Sequence, residues 1–209
     1  ANKNYALPLH DDNVKHALQL IQLIHKNRRQ LKRYLHFYLK GNKNYVYDHP
    51  LTKQWIAAHP ISSTDTWQKG IRFTKTHPEL GKIQISVEDD PFEILRMGTY
   101  VGSCLGLGGI NAFSAAAVML DFNKRVLYAR NNQRKVIARQ LIAISEQNQL
   151  VCFSVYPIKV NATIKTFFRK YDRKLAEKLN VPLCSDDDYD IKNILSEDWY
   201  DDNAWNMKD

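Results

Sequence analysis

Apolar residues recur at helical spacing through the first forty positions. Val14, Leu18, Ile21, Ile24, Leu31, Leu35 and Tyr38 stand three, four or seven apart, and the run stops at Gly41. The spacing predicts one amphipathic helix over 14–40, or two broken near Asn27, with Asp11 and Asp12 as N-cap candidates. Residues 42–80 lose the period. Three His-Pro pairs, His49-Pro50, His59-Pro60 and His77-Pro78, favour extended or turn backbone at each histidine, because a proline ring disfavours helix in the residue before it. That stretch reads as a loop-rich connector with a short helix over 51–58.

Strict alternation follows: Ile83, Ile85 and Val87 against Gln84, Ser86 and Glu88 predict a half-buried strand over 81–88. Asp89-Asp90-Pro91 opens a short helix over 92–97, with proline tolerated at its first position. A glycine-rich stretch, 98–109, runs into an alanine-rich helix over 110–120. Strands at 125–130, 135–145 and 150–156 are joined by turns at Asn131-Asn132 and Gln147-Asn148, too short for anything but antiparallel pairing. A last amphipathic helix, 161–179, points Ile164, Phe167, Phe168, Tyr171, Leu175 and Leu179 inward. The pattern predicts an α+β fold: an N-terminal helical part, 1–80, packed on a three- to four-stranded antiparallel sheet. The core, 81–184, holds a glycine-rich loop leading into a small-residue helix, and a tail, 185–209, follows.

Composition narrows the class. With 209 residues, 44% hydrophobic and 25% charged, and only 8 Gly and 7 Pro, the chain is neither collagen-like nor disordered. No apolar run approaches a membrane span, and the first residues lack the basic and apolar regions of a secretory signal. Cys104, Cys152 and Cys184 are odd in number, far apart and without ligand spacing, which predicts reduced thiols in a cytoplasm-like compartment, no metal site and no cofactor. Ala1 in place of an initiator Met fits a processed start or a domain of a larger protein with a structural role.

Charge changes the picture further. Residues 1–184 carry 28 Lys+Arg against 13 Asp+Glu, and residues 185–209 carry 2 against 9. A basic body attracts polyanions over about a Debye length, roughly 8 Å at physiological salt, so the leading expectation is a module that engages nucleic acid or another polyanion. Arg28, Arg29, Lys32 and Arg33 on the first helical run, with Arg130 and Arg139 on the strands, are the candidate contacts. The acidic tail also holds Tyr189, Ile191, Ile194, Leu195, Trp199, Tyr200 and Trp205, so it is built to dock, onto the body or onto a protein partner. A tail docked on the body would compete with the polyanion as an internal phosphate mimic. The run Asp186-Asp187-Asp188 with Asp190 lacks the glycine and terminal glutamate of a calcium loop.

Two chemistries compete for the glycine-rich segment. Gly106-Leu-Gly108-Gly109-Ile-Asn111 resembles a dinucleotide fingerprint, with Arg130 placed as a reader of a ribose phosphate. Against it stand Asn111 in place of the third glycine and antiparallel hairpins downstream. In the second chemistry, Cys104 precedes a helix whose dipole favours a thiolate, and the amides of Gly106 to Gly109 form an oxyanion hole. A cysteine near a helix start followed by an antiparallel sheet is similar in outline to papain-like and transglutaminase-like cysteine enzymes, a likeness of element order over residues 98–157. That resemblance implies a thiol-dependent hydrolase or transferase with a histidine base. Every histidine precedes Cys104, which leaves His77 and His59, both on loops, as candidates. The plain alternative is a buried structural cysteine in a tightly packed loop.

Overall fold

The computed structural model describes residues 12–185 and 188–205. The capping expected of Asp11 and two members of the acidic run, Asp186 and Asp187, fall outside them. The first helical run is two helices, α1 (Asp12–Leu23) and α2 (Arg28–Leu39), broken at Asn27. Asn27 takes a left-handed φ of 62°, a conformation that asparagine tolerates better than most residues. Three short helices follow: α3 (Tyr45–Asp48), α4 (Pro50–Ala58) and α5 (Thr64–Lys69).

The sheet has five strands, not three or four. β1 (Phe73–His77), β2 (Gly81–Val87), β3 (Lys124–Arg130), β4 (Val136–Ile144) and β5 (Leu150–Cys152) pair in chain order, all antiparallel, in a curled half-barrel. β1 lies inside the stretch expected to be loop. Its middle residues, Thr74-Lys75-Thr76, are exposed on an edge strand, so no apolar alternation marks it. Between β2 and β3 the chain inserts α6 (Pro91–Leu95), α7 (Met97–Val101) and α8 (Phe113–Leu120). α6 is capped by the Asp90 carboxylate, which accepts from the amides of Phe92 and Glu93. The expected helix over 110–120 begins only at Phe113. The last strand ends at Cys152, beyond which Tyr156 makes one isolated bridge to Arg139.

Both faces of the sheet are covered. One core gathers Ile83, Ile85, Leu127, Ala138, Ile142 and Ile144 with Trp55 of α4, Trp67 of α5 and the apolar side of α9 (Ala162–Leu179). The other gathers Val126, Tyr128, Leu141, Ala143 and Val151 with α1, α2, α6 and α8. The N-terminal part therefore divides: α1 and α2 pack on one face and α4 and α5 on the other. Val46 in α3 touches both cores where the chain crosses over.

Candidate functional site

The glycine-rich loop is a backbone-on-backbone packing device. A Cβ on Gly98 would lie 2.1 Å from the Gly106 nitrogen, and one on Gly109 would lie 2.2 Å from the Cys104 carbonyl oxygen. Several loop amides, those of Gly106 and Gly109 among them, are consumed internally. Gly106 N–H donates to Ser103 O (2.9 Å), Gly109 N–H to Gly106 O (2.9 Å) and Leu107 N–H to Thr99 Oγ1 (3.1 Å). Donors turned inward in this way form neither an oxyanion hole nor a pyrophosphate cradle, so both expectations for Gly106 and Gly109 are corrected. Gly108 and Asn111 lie on the outer side of the loop, in a groove shared with Lys26, Asp198 and Tyr200.

Cys104 is half-buried, and Asn111 Nδ2 points at its sulfur from 3.6 Å. The sheet separates it from both expected bases. Along β4, Ala138 and Ile142 face the α9 side, whereas Leu141 and Ala143 face the side on which Cys104 packs. His59 belongs to the α9 side. Its ring stacks on Trp55 at 4.1 Å, its Nε2 lies 3.4 Å from Glu146, and it is 6% exposed. His77 is 3% exposed at the end of β1, and its Nδ1 accepts from the amides of Glu79 and Leu80. Both are turn and core histidines, although the buried Nε2 of His77 has no hydrogen-bond partner among the described residues. The histidine that does reach the loop's own face is His16, with Nε2 2.9 Å from Thr99 Oγ1. Burial holds its imidazole below the usual range.

The expected arginine contacts are largely occupied. Arg139 is completely buried, ion-paired with Asp202 of the tail and 3.0 Å from Ser103 Oγ. Arg130 lies 2.5 Å from Glu88 and 4.0 Å from Glu93, so its own guanidinium is already paired with acids. Arg28 folds back onto the carbonyls of Ile24 (2.5 Å) and Gln22 (2.9 Å), tying down the carbonyl end of α1. Arg29, Lys32 and Arg33 stay exposed on α2. Glu197 of the tail binds beside them, accepting from Gln30 Nε2 at 2.8 Å.

The described part of the tail is docked on the body. Lys26 pairs with Asp198, and the Asn27 side chain bonds the backbone of both Glu197 and Asp198. The wholly buried Asp121 carboxylate accepts from Leu195 N–H (2.7 Å), Ser196 N–H (2.9 Å) and Lys124 Nζ (2.6 Å). Burial pushes the Lys124 ammonium down, against the pull of Asp121. Tyr189 and Trp199 pack edge-on against Phe153.

The opposite face is basic. Arg72, Lys174 and Lys178 line a groove of about 590 Å³ between α9 and the α5–β1 turn, with Glu177 as its one acid. Lys75 and Lys174 both lie over the Phe73 ring, at 5.8 and 5.9 Å. Arg72, Lys75, Lys170, Arg173, Lys174 and Lys178 are all exposed. None of the six forms a salt bridge among the described residues. The helical spacing that turns the apolar side of α9 inward also turns Lys170, Arg173, Lys174 and Lys178 outward. Arg72 is brought beside them only by the packing of α5 and β1 against α9. Among the described residues, no cluster of three or more His, Cys, Asp or Glu could hold a metal ion, and no helix is long and apolar enough to cross a membrane. Compared with known proteins, the chain matches no family model, no curated protein and no solved structure.

Proposed function

We propose that this chain is a basic module that contacts the phosphate backbone of nucleic acid through the outer face of α9 and the edge strand β1. One observation carries the reading. Three exposed cations outside any salt bridge among the described residues, Arg72, Lys174 and Lys178, line one groove, with Lys75, Lys170 and Arg173 exposed on β1 and α9, while the tail's acids are held on the α1–α2 and α8 side of the molecule. Phosphate contact needs only such cations on a rigid frame, and α9 supplies Lys174 and Lys178 one turn apart. Described tail residues do not line the groove. The tail therefore acts as a clamp on the fold rather than as a competitor for the phosphate.

Fluorescence anisotropy with a labelled duplex of about 20 bp tests this. Three phosphate contacts predict affinity that falls about 40-fold between about 50 and 200 mM salt. Charge reversal of Arg72, Lys174 and Lys178 to Glu is expected to abolish most of the binding with an unchanged melting temperature, and Cys104→Ala is expected to bind as the wild type does. Salt-independent binding, or equal binding by the triple variant, would refute the assignment.

A further inference from the structure

A second cavity, about 240 Å³, opens beneath α2 and α3, away from the basic groove. Its distinguishing group is Arg125. This β3 side chain is held between aromatic rings, its guanidinium carbon 5.7 Å from the Trp67 centroid and 5.2 Å from that of Phe122. One hydrogen bond is made by the guanidinium among the described residues, from Nη1 to the Lys124 carbonyl at 3.0 Å, and no salt bridge. Burial pushes the group down to about 10. Every other strand arginine has an acid: Arg130 has Glu88, and Arg139 has Asp202. Arg125 has none within salt-bridge distance, and its side chain forms part of the cavity wall.

Packing rings against a guanidinium leaves its N–H edge as the donor surface, and that edge matches a planar carboxylate in two parallel hydrogen bonds. The walls supply the rest of a ligand site. Tyr34, whose hydroxyl burial keeps protonated, makes no hydrogen bond among the described residues, and Gln68 and Asn44 add further polar groups. Ile94, Met119 and Phe122 form an apolar wall. Asp89 and Glu88 also border the cavity, so a phosphate dianion would meet more like-charge repulsion than a singly charged carboxylate. The volume lies below the roughly 300–1,000 Å³ of sites for drug-sized ligands, which sets the scale at a small metabolite.

From this geometry we infer that the cavity is a binding site for a small carboxylate with an apolar body, held by Arg125 and Tyr34. The probes are benzoate, butyrate and inorganic phosphate, titrated by calorimetry and by thermal melting. Saturable binding of benzoate or butyrate with a Kd below about 10 mM is expected, together with nuclear Overhauser contacts from the probe to the Met119 methyl group. Arg125→Lys is expected to weaken binding about tenfold or more and Tyr34→Phe by a smaller factor, while Asp89→Asn strengthens it. Should Arg125→Lys unfold, the Tyr34→Phe titration and the Met119 contacts decide the question on their own. Three results would overturn the inference: no saturable carboxylate binding, preference for inorganic phosphate, or equal affinity in a folded Arg125→Lys protein. None of these touches the α9 groove, so they leave the nucleic-acid reading to its own test.

Discussion

At the scale of single residues, polar groups inside the molecule do what their positions in the sequence do not announce. Asn27 reads as a weak point in a helix, yet it is wholly buried at the break between α1 and α2 and ties that break to α8 and the tail through its side-chain amide. Asp172 sits among the outward cations in the sequence of α9, yet it points into the core beside Gln140 (3.1 Å) and the Cys152 thiol. Burial pushes its carboxyl up to about 7. Between the ordinary carboxylate range near 4 and that value, the folded protein holds a proton that the unfolded chain has lost. Stability therefore falls as pH rises through this window, by up to roughly 4 kcal/mol, and the penalty is complete above it. Asp172→Asn is expected to flatten this slope. Urea midpoints at pH 4.5 and 8 check it, and parallel profiles for the two proteins would contradict the assignment.

At the scale of elements, periodicity made most helices and central strands legible, and what escaped was local in a particular way. β1 was hidden because an edge strand with one exposed face carries Thr and Lys where a central strand carries Val and Ile. α7 was hidden because Gly98 argues against helix, while its reason for being glycine is the backbone of Leu105 and Gly106 lying against it. The glycines suggested ligand chemistry, but they serve close packing. Two substitutions separate these roles. Gly98→Ala forces a Cβ into backbone at 2.1 Å and is expected to cost at least about 3 kcal/mol. Gly102→Ala faces open space at φ +62° and is expected to cost only about 1 kcal/mol. Chemical denaturation of the two variants checks the order, and the reverse order would show that conformational freedom, not space, selects these glycines.

For the whole molecule, the fold holds the acidic tail on one side and leaves the cations of α9 and β1 on the other. The acidic tail is held down through Asp121, Lys26, Asn27 and Arg139; Arg139–Asp202 is a buried ion pair, and Asp121, which accepts from the tail's amides, is itself in a buried ion pair with Lys124. Removing one partner of such a pair leaves an unpaired charge, so Asp121→Ala is expected to lose about 3–5 kcal/mol, read from urea melts. A loss below about 1 kcal/mol would mean that the tail's docking contributes little. The amino-acid sequence by itself determined the α+β class, the antiparallel order of the central strands, the inward side of α9 and the aromatic docking character of the tail. Each of these rests on interactions between residues near one another in the chain, where apolar spacing and turn chemistry suffice. Only the tertiary structure decided which face each histidine occupies, that the loop amides bond one another, that Arg139 belongs to Asp202, and that Arg72 meets Lys174. Those pairings join segments far apart in sequence across a sheet whose two sides look alike in the one-dimensional pattern. No local period records which partner lies on the other side.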